Sequence, residues 1–263
     1  AHVLGKRGLR KVYLADAERE VGGALRLSSR LPGQHEWARV IAYRQGQIKK
    51  LPNVELALGN RLSTDDIMAL GIETVIVATG SNWAGDGLNH LTHAPIPGAS
   101  AATDPIVFTP DQVMAGGKPI AAGKVVIYDT DGYFMAAVLA EKLTNDGREV
   151  TIVTPFEHAA HYMKFTTELA MMNKRLRTLG VRIKLNTILE RVEGQRLFLQ
   201  DIWQTAAVES MEADALVLVT EWKPFRAPAP SRLGRASATG NSTSSGPRRS
   251  RGAARAAETA GCT

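Results

Sequence analysis

Two short runs rich in β-branched residues, Lys124–Tyr128 (KVVIY) and Glu149–Val153 (EVTIV), stand either side of a helical segment, Phe134–Asp146, that closes at Gly147. Strands joined through a helix lie parallel, and the crossover is right-handed in nearly all proteins. The same alternation runs along most of the chain. Lys11–Ala15 (KVYLA), Val54–Leu58, Glu73–Gly80 (ETVIVATG), Val181–Leu185, Ile188–Val192, Leu197–Gln200 and Ala215–Thr220 read as strands. Trp37–Lys50, Thr64–Ala69, a short stretch near Pro110–Ala115 and Glu168–Leu179 read as helices, and Ala1–Gly8 as a helix end closed by glycine. Residues 81–117 look loop-rich. This pattern predicts an α/β protein with parallel sheets.

The 263 residues, 44% of them hydrophobic and 22% charged, allow one large domain or two small ones. No apolar run approaches the roughly 18 residues that span a bilayer, so no membrane partner is expected. One cysteine, Cys262, cannot build a disulfide framework, a four-cysteine zinc site or an iron–sulfur cluster held by this chain alone. No basic-then-apolar leader follows Ala1, so the expected compartment is the reducing cytoplasm. Seven arginines against Glu258 alone, between Arg226 and Thr263, equal the formal net charge of +6 and leave residues 1–225 balanced. A specific nucleic-acid partner would need a basic face on the folded part, and none is expected. Residues 225–263, rich in Ala, Gly, Ser, Pro, Thr and Arg, lack the apolar side chains to offset ordering entropy and read as a disordered tail.

Three features of the first segment suggest a dinucleotide-type site. Asp16 ends the KVYLA strand, where an acid accepts hydrogen bonds from ribose hydroxyls. Gly22 and Gly23 follow, and adjacent glycines let backbone N–H groups approach a ligand. Ala78, Thr79 and Gly80 close an apolar strand at its carboxyl end, where open α/β sheets bind ligands. The glycine-rich phosphate loop that should precede the acid by about 20 residues is not in the chain. In the second segment the turn after KVVI carries Asp129 and Asp131 where a pyrophosphate would sit, and EVTIV ends in Thr154–Pro155 without an acid for a ribose. Repulsion by the two carboxylates predicts that NAD(P)H does not bind there.

The ordered segments VYLADAEREVGG, EWARVIAYR, VIVATGSNW, HLTHAPIPGA, DGYFMAAVLAEKLTNDGREVTIVTP and ALVLVTEWKP resemble the C-terminal half of the trimethylamine and dimethylamine dehydrogenase group. That group lies within the NADH:flavin oxidoreductase and 2,4-dienoyl-CoA reductase family, and the resemblance covers about residues 1–224. It implies two Rossmann-like, glutathione-reductase-like three-layer domains of FAD/NAD(P)-binding type. The first, residues 1–103, would be a partial FAD/ADP-binding domain without its first strand and phosphate loop; the second, 104–224, would be NAD(P)-binding-like with a degenerate glycine loop. The resemblance implies a flavin-dependent oxidoreductase acting on C–N bonds, an amine dehydrogenase or demethylase. FMN and a [4Fe–4S] cluster would sit in an N-terminal barrel that this chain lacks, so the chain alone is expected to be inactive, with no catalytic residue and no metal ligand of its own. Carried over by position, Asp16, Gly22, Gly23, Ala78, Thr79 and Gly80 would hold ADP or FAD. An electron-transferring flavoprotein would be the acceptor and a homo-oligomer the full-length state. Two other readings stay open: an NAD(P)H-linked reductase of the dienoyl-CoA reductase branch, and a non-catalytic scaffold.

The remaining constellations are weaker. His158 and His161 have no carboxylate at metal-ligand spacing, and His90 and His93 sit in a loop beside PIPG. Tyr43 with Arg39, Arg44, Lys49 and Lys50 makes a basic helix face that includes an aromatic, a docking face for an acidic flavoprotein or a solvated surface.

Overall fold

The computed structural model describes residues 1–225, so the tail expected to be disordered lies, from residue 226 on, outside the described residues. The chain opens with helix α1 (His2–Lys6), strand β1 (Val12–Asp16), helix α2 (Ala24–Ser28), helix α3 (Trp37–Ile48), strand β2 (Val54–Leu58) and helix α4 (Thr64–Ala69). Ser63 caps α4 in a reciprocal box: its hydroxyl accepts from the Asp66 N–H while the Asp66 carboxylate accepts from the Ser63 N–H at 2.8 Å. β1 and β2 pair in parallel from Val12↔Val54 to Asp16↔Leu58. They form a two-stranded ribbon and nothing more. Residues 73–80, expected as an apolar strand, join no ladder. A strand exists through its neighbour's hydrogen bonds, and no backbone group of residues 73–79 has a partner among the described residues.

The rest of the chain builds one three-layer unit. After strand β3 (Ser81–Trp83) come strand β4 (Val107–Phe108), helix α5 (Pro110–Ala115), strand β5 (Lys124–Asp129), helix α6 (Phe134–Asn145) and strand β6 (Glu149–Val153). A 3-10 turn (His161–Thr166), helix α7 (Leu169–Thr178) and strands β7 (Arg182–Lys184), β8 (Thr187–Glu193), β9 (Arg196–Asp201), β10 (Val208–Glu212), β11 (Ala215–Val219) and β12 (Trp222–Pro224) complete it. Five strands form a parallel sheet in the order β4-β11-β5-β6-β7. Val125, Ile127, Val217 and Val219 face α6 and α7 through Val138, Leu139, Leu143 and Leu176. On the opposite face Val126, Tyr128, Leu216 and Leu218 pack against Leu189, Leu197 and Leu199 of the antiparallel sheet β8–β10. Cover on both faces explains why KVVIY, EVTIV and ALVLV read as continuous apolar runs. Each fully buried Leu or Ile contributes about 1.5–3 kcal/mol.

Glu141 of α6 is almost wholly buried, and Arg175 of α7 meets it with a charge-assisted hydrogen bond, which ties the two helices. The chain returns along β12, which pairs antiparallel with β3, so that Trp222 lies opposite Trp83 with ring centroids 4.1 Å apart.

The expectation of two Rossmann-like three-layer domains is therefore corrected. The α/β class holds, but only residues from 107 on form a layered sheet, and the first part holds a ribbon with helices on it. Two strands cannot form the sandwich that three layers require.

Candidate functional site

Two places stand at the carboxyl ends of parallel strands. The first is the turn between β5 and α6. Asp129 is wholly buried, and its Oδ1 accepts from the Gly132 N–H at 2.9 Å, while its Oδ2 is buried with no partner. Asp131 Oδ2 accepts from the Tyr133 N–H at 3.3 Å. The N–H groups of Thr130 and Asp131 both donate to the Val219 carbonyl, at 3.0 and 3.2 Å. Every N–H from 130 to 133 is thus already engaged. The 3-10 turn covers this loop: Tyr162 N–H donates to the Gly132 carbonyl at 2.8 Å, and a Cβ at residue 132 would lie within 2.9 Å of the Phe156 and Tyr162 rings.

Burial pushes the Asp129 carboxyl up to about 8, and the Asp131 carboxyl to about 6. This revises the reason to expect no pyrophosphate here. Asp129 is mostly neutral at pH 7, so repulsion between two charges is the smaller effect. Occupied N–H groups and the aromatic cover leave a phosphate neither donors nor room. The sequence suggested the residues but not their burial; Tyr162 and Phe156 had no signal, because they reach the turn from a segment about 25 residues downstream.

The second place is the end of β1. Asp16 is half-buried, and its Oδ1 accepts from the Glu18 N–H at 2.9 Å. Its second oxygen is in no hydrogen bond, which leaves acceptor capacity for a hydroxyl. Gly22 has φ +122, and a Cβ there would sit 2.7 Å from Ile41 Cδ1, so its place is set by packing on α3. Gly23, at φ +50, precedes α2 and faces open space. Ala78, Thr79 and Gly80 are exposed, and no hydrogen bond links them to Asp16. Beside β1, a groove of about 240 Å³ is lined by Leu14, Leu25, Val40, Ile41 and Leu56, with Arg44 at its side.

Asp16 therefore keeps one carboxylate oxygen able to accept from a hydroxyl such as a ribose carries. The single cysteine cannot ligate a [4Fe–4S] cluster, which takes four thiolates. Among the described residues no group of three or more His, Cys, Asp or Glu converges on a metal-sized space. His161 instead meets Lys164 Nζ at 2.7 Å, stacks on Phe156, and is held below the usual histidine range by burial. Among the described residues no helix is long and apolar enough to cross a membrane.

Comparison with known proteins gives these shapes relatives. Residues 108–221 match the family described as the OYE-like second alpha/beta domain. This overturns the assignment of the second part to a FAD/NAD(P)-binding, glutathione-reductase-like domain. The chain is 39% identical over 208 residues to dimethylamine dehydrogenase of Hyphomicrobium sp. (strain x), covering 77% of this chain and 28% of that protein. It is 29% identical over 198 residues to a probable N-methylproline demethylase of Rhizobium meliloti (strain 1021). Among solved structures, 6-hydroxypseudooxynicotine amine oxidase from Pseudomonas geniculata N1 superposes with a TM-score of 0.79 at 36% identity, over 85% of this chain and 32% of that one. Histamine dehydrogenase from Rhizobium sp. 4-9 also gives 0.79, at 32% identity, over 84% and 33%. These relatives are oxidoreductases named for amines, and the chain spans about a third of their length or less.

Proposed function

We propose that this chain serves a flavin-dependent oxidoreductase that cleaves the C–N bond of an amine, and that it supplies an adenine-nucleotide site and a structural α/β domain. The observation that carries the reading is the 39% identity to dimethylamine dehydrogenase across 208 residues. FMN and a [4Fe–4S] cluster would supply the redox chemistry when bound elsewhere in the enzyme; residues 1–225 contain no cysteine to hold the cluster. Asp16 would accept from the ribose hydroxyls of ADP or FAD, with the open space at Gly23 and the unpaired backbone of Ala78 and Thr79 available to the nucleotide. An acidic electron-transferring flavoprotein would dock on α3, where Tyr43 is exposed and Arg44 lies against its ring. A nicotinamide-linked reductase fits less well, because the turn at 129–133 has no free donor for a pyrophosphate.

Two measurements test the reading. Calorimetric titration of the chain with ADP and FAD should show binding that Asp16→Ala weakens at least about tenfold, the equivalent of one lost charge-assisted hydrogen bond. No heat from either nucleotide, or indifference to the substitution, refutes the nucleotide role. Grafting the matching 208 residues into dimethylamine dehydrogenase should preserve dimethylamine-dependent dye reduction. Loss of that activity with flavin content intact refutes the amine assignment.

A further inference from the structure

The two-stranded clasp that joins the ends of the layered domain is held largely from outside itself. β3 and β12 pair over three residues a side, and the last of them, Pro224, has no N–H to give. So short a pair is marginal without help from its surroundings. Three half-buried carboxylates supply that help, each from a different segment. Asp111 of α5 accepts from the Trp83 N–H at 2.9 Å. Asp131, in the turn after β5, takes the indole N–H of Trp222. Asp86, just beyond β3, takes Lys223 Nζ at 2.7 Å. The stacked Trp83–Trp222 pair adds apolar contact. Against this, the Trp83 indole N–H is buried without a partner, and water would satisfy it on opening.

We propose that this clasp is a hinge that opens locally while the layered core stays folded, and that proton loss from Asp131 loosens it. Hinges are a few residues at element ends, and both passages of the chain into the domain cross at this one point. Burial opposes ionisation of Asp131 more than the Tyr133 N–H and the Trp222 indole favour it, and its carboxyl is pushed up to about 6. Burial also raises Asp111 above the usual carboxylate range, against the pull of the Trp83 N–H. An open clasp returns both to water, near 3.8. The closed state therefore holds protons that the open state releases. It is favoured fully below about pH 4 and loses ground as pH rises through 6. Asp86 acts the other way. Its burial is outweighed by Lys223 and the Leu88 N–H, which hold its carboxyl below the usual range, so its ion pair is already complete at pH 5. Asp129 is the charged neighbour of Asp131, and it stays mostly protonated below its value of about 8. The inference needs neither the nucleotide nor the amine reading.

Native-state hydrogen exchange on the 263-residue chain reads the opening through the amides of Ala84 and Phe225, which close the clasp against the Glu221 and Gly80 carbonyls. After correction for intrinsic exchange, their opening constant should rise about tenfold from pH 5 to pH 7 and then level off. Asp131→Asn keeps an oxygen for the Tyr133 N–H and cannot ionise, so it should remove most of that rise. Trp222→Phe keeps a ring against Trp83 but loses the donor to Asp131, so the levelling should move to higher pH. Asp86→Asn removes the partner of Lys223 and should raise opening across the range without changing its slope. The proposal falls if Ala84 and Phe225 are protected as strongly as Ile127 in the sheet core, because the clasp would then open only with the whole domain. An opening constant that does not change between pH 5 and pH 7, or the same rise in Asp131→Asn, also overturns it.

Discussion

Asp129→Asn tests whether the buried turn carries a proton at neutral pH. The Asp129 carboxyl titrates at about 8 in the folded protein against 3.8 when unfolded, because burial opposes its ionisation more than the Gly132 N–H favours it. Between these values the folded state holds a proton that the unfolded state has released. Stability from this group is therefore fully present below about pH 4 and falls as pH rises towards 8. The span of about four pK units at 1.36 kcal/mol each sets a loss on the order of 5 kcal/mol. Asparagine keeps an oxygen for the Gly132 N–H and cannot ionise. The assay is denaturant unfolding of both proteins at pH 5, 7 and 9. Near pH 5, just over one unit above the unfolded value, the variant should already be the more stable by about 1.5 kcal/mol, and at pH 9 by about 5 kcal/mol. Equal slopes of stability against pH would refute the reasoning, as would a wild-type advantage at pH 9.

Two further outcomes follow from local geometry. Gly98 has φ +77, and a Cβ there would lie 1.9 Å from the Val192 carbonyl oxygen, which is backbone and cannot swing aside. Gly98→Ala should cost about 3 kcal/mol or more and lower the melting temperature accordingly. Thr109 caps α5 through a reciprocal bond with Gln112, 3.3 Å one way and 2.9 Å the other. Thr109→Ala should cost about 1 kcal/mol in denaturant unfolding, and Thr109→Ser should restore most of it.

The central β5–α6–β6 unit was legible because both of its faces are buried. Burial on both sides writes an uninterrupted apolar run into the sequence, and Gly147, at φ +82, marks where the helix must stop. Residues 73–80 carried the same apolar run, yet they form no strand. A run of Val and Ile records a propensity, while a ladder needs a neighbour that the sequence cannot display. The three-residue strands β3 and β12 were invisible for the converse reason. Ser-Asn-Trp and Trp-Lys-Pro have no strand pattern of their own, and they pair because the fold brings Trp83 and Trp222 together. At the candidate sites, the positions of Asp16, Asp129 and Asp131 could be read, but their charge states could not. The sequence presents Asp129 as an anion, and its environment makes it a weak acid. Paired glycines suggest a backbone open to a ligand at Gly22, whereas Ile41 fills the space beside it.

The pairing of β3 with β12 fixes where the chain enters and leaves the layered domain. Antiparallel partners stand about 5 Å apart, so Trp83 and Trp222 bring the domain's two ends to one point. A module whose entrance and exit coincide can be cut out and spliced into a host loop without a spacer, and its host need not move to admit it.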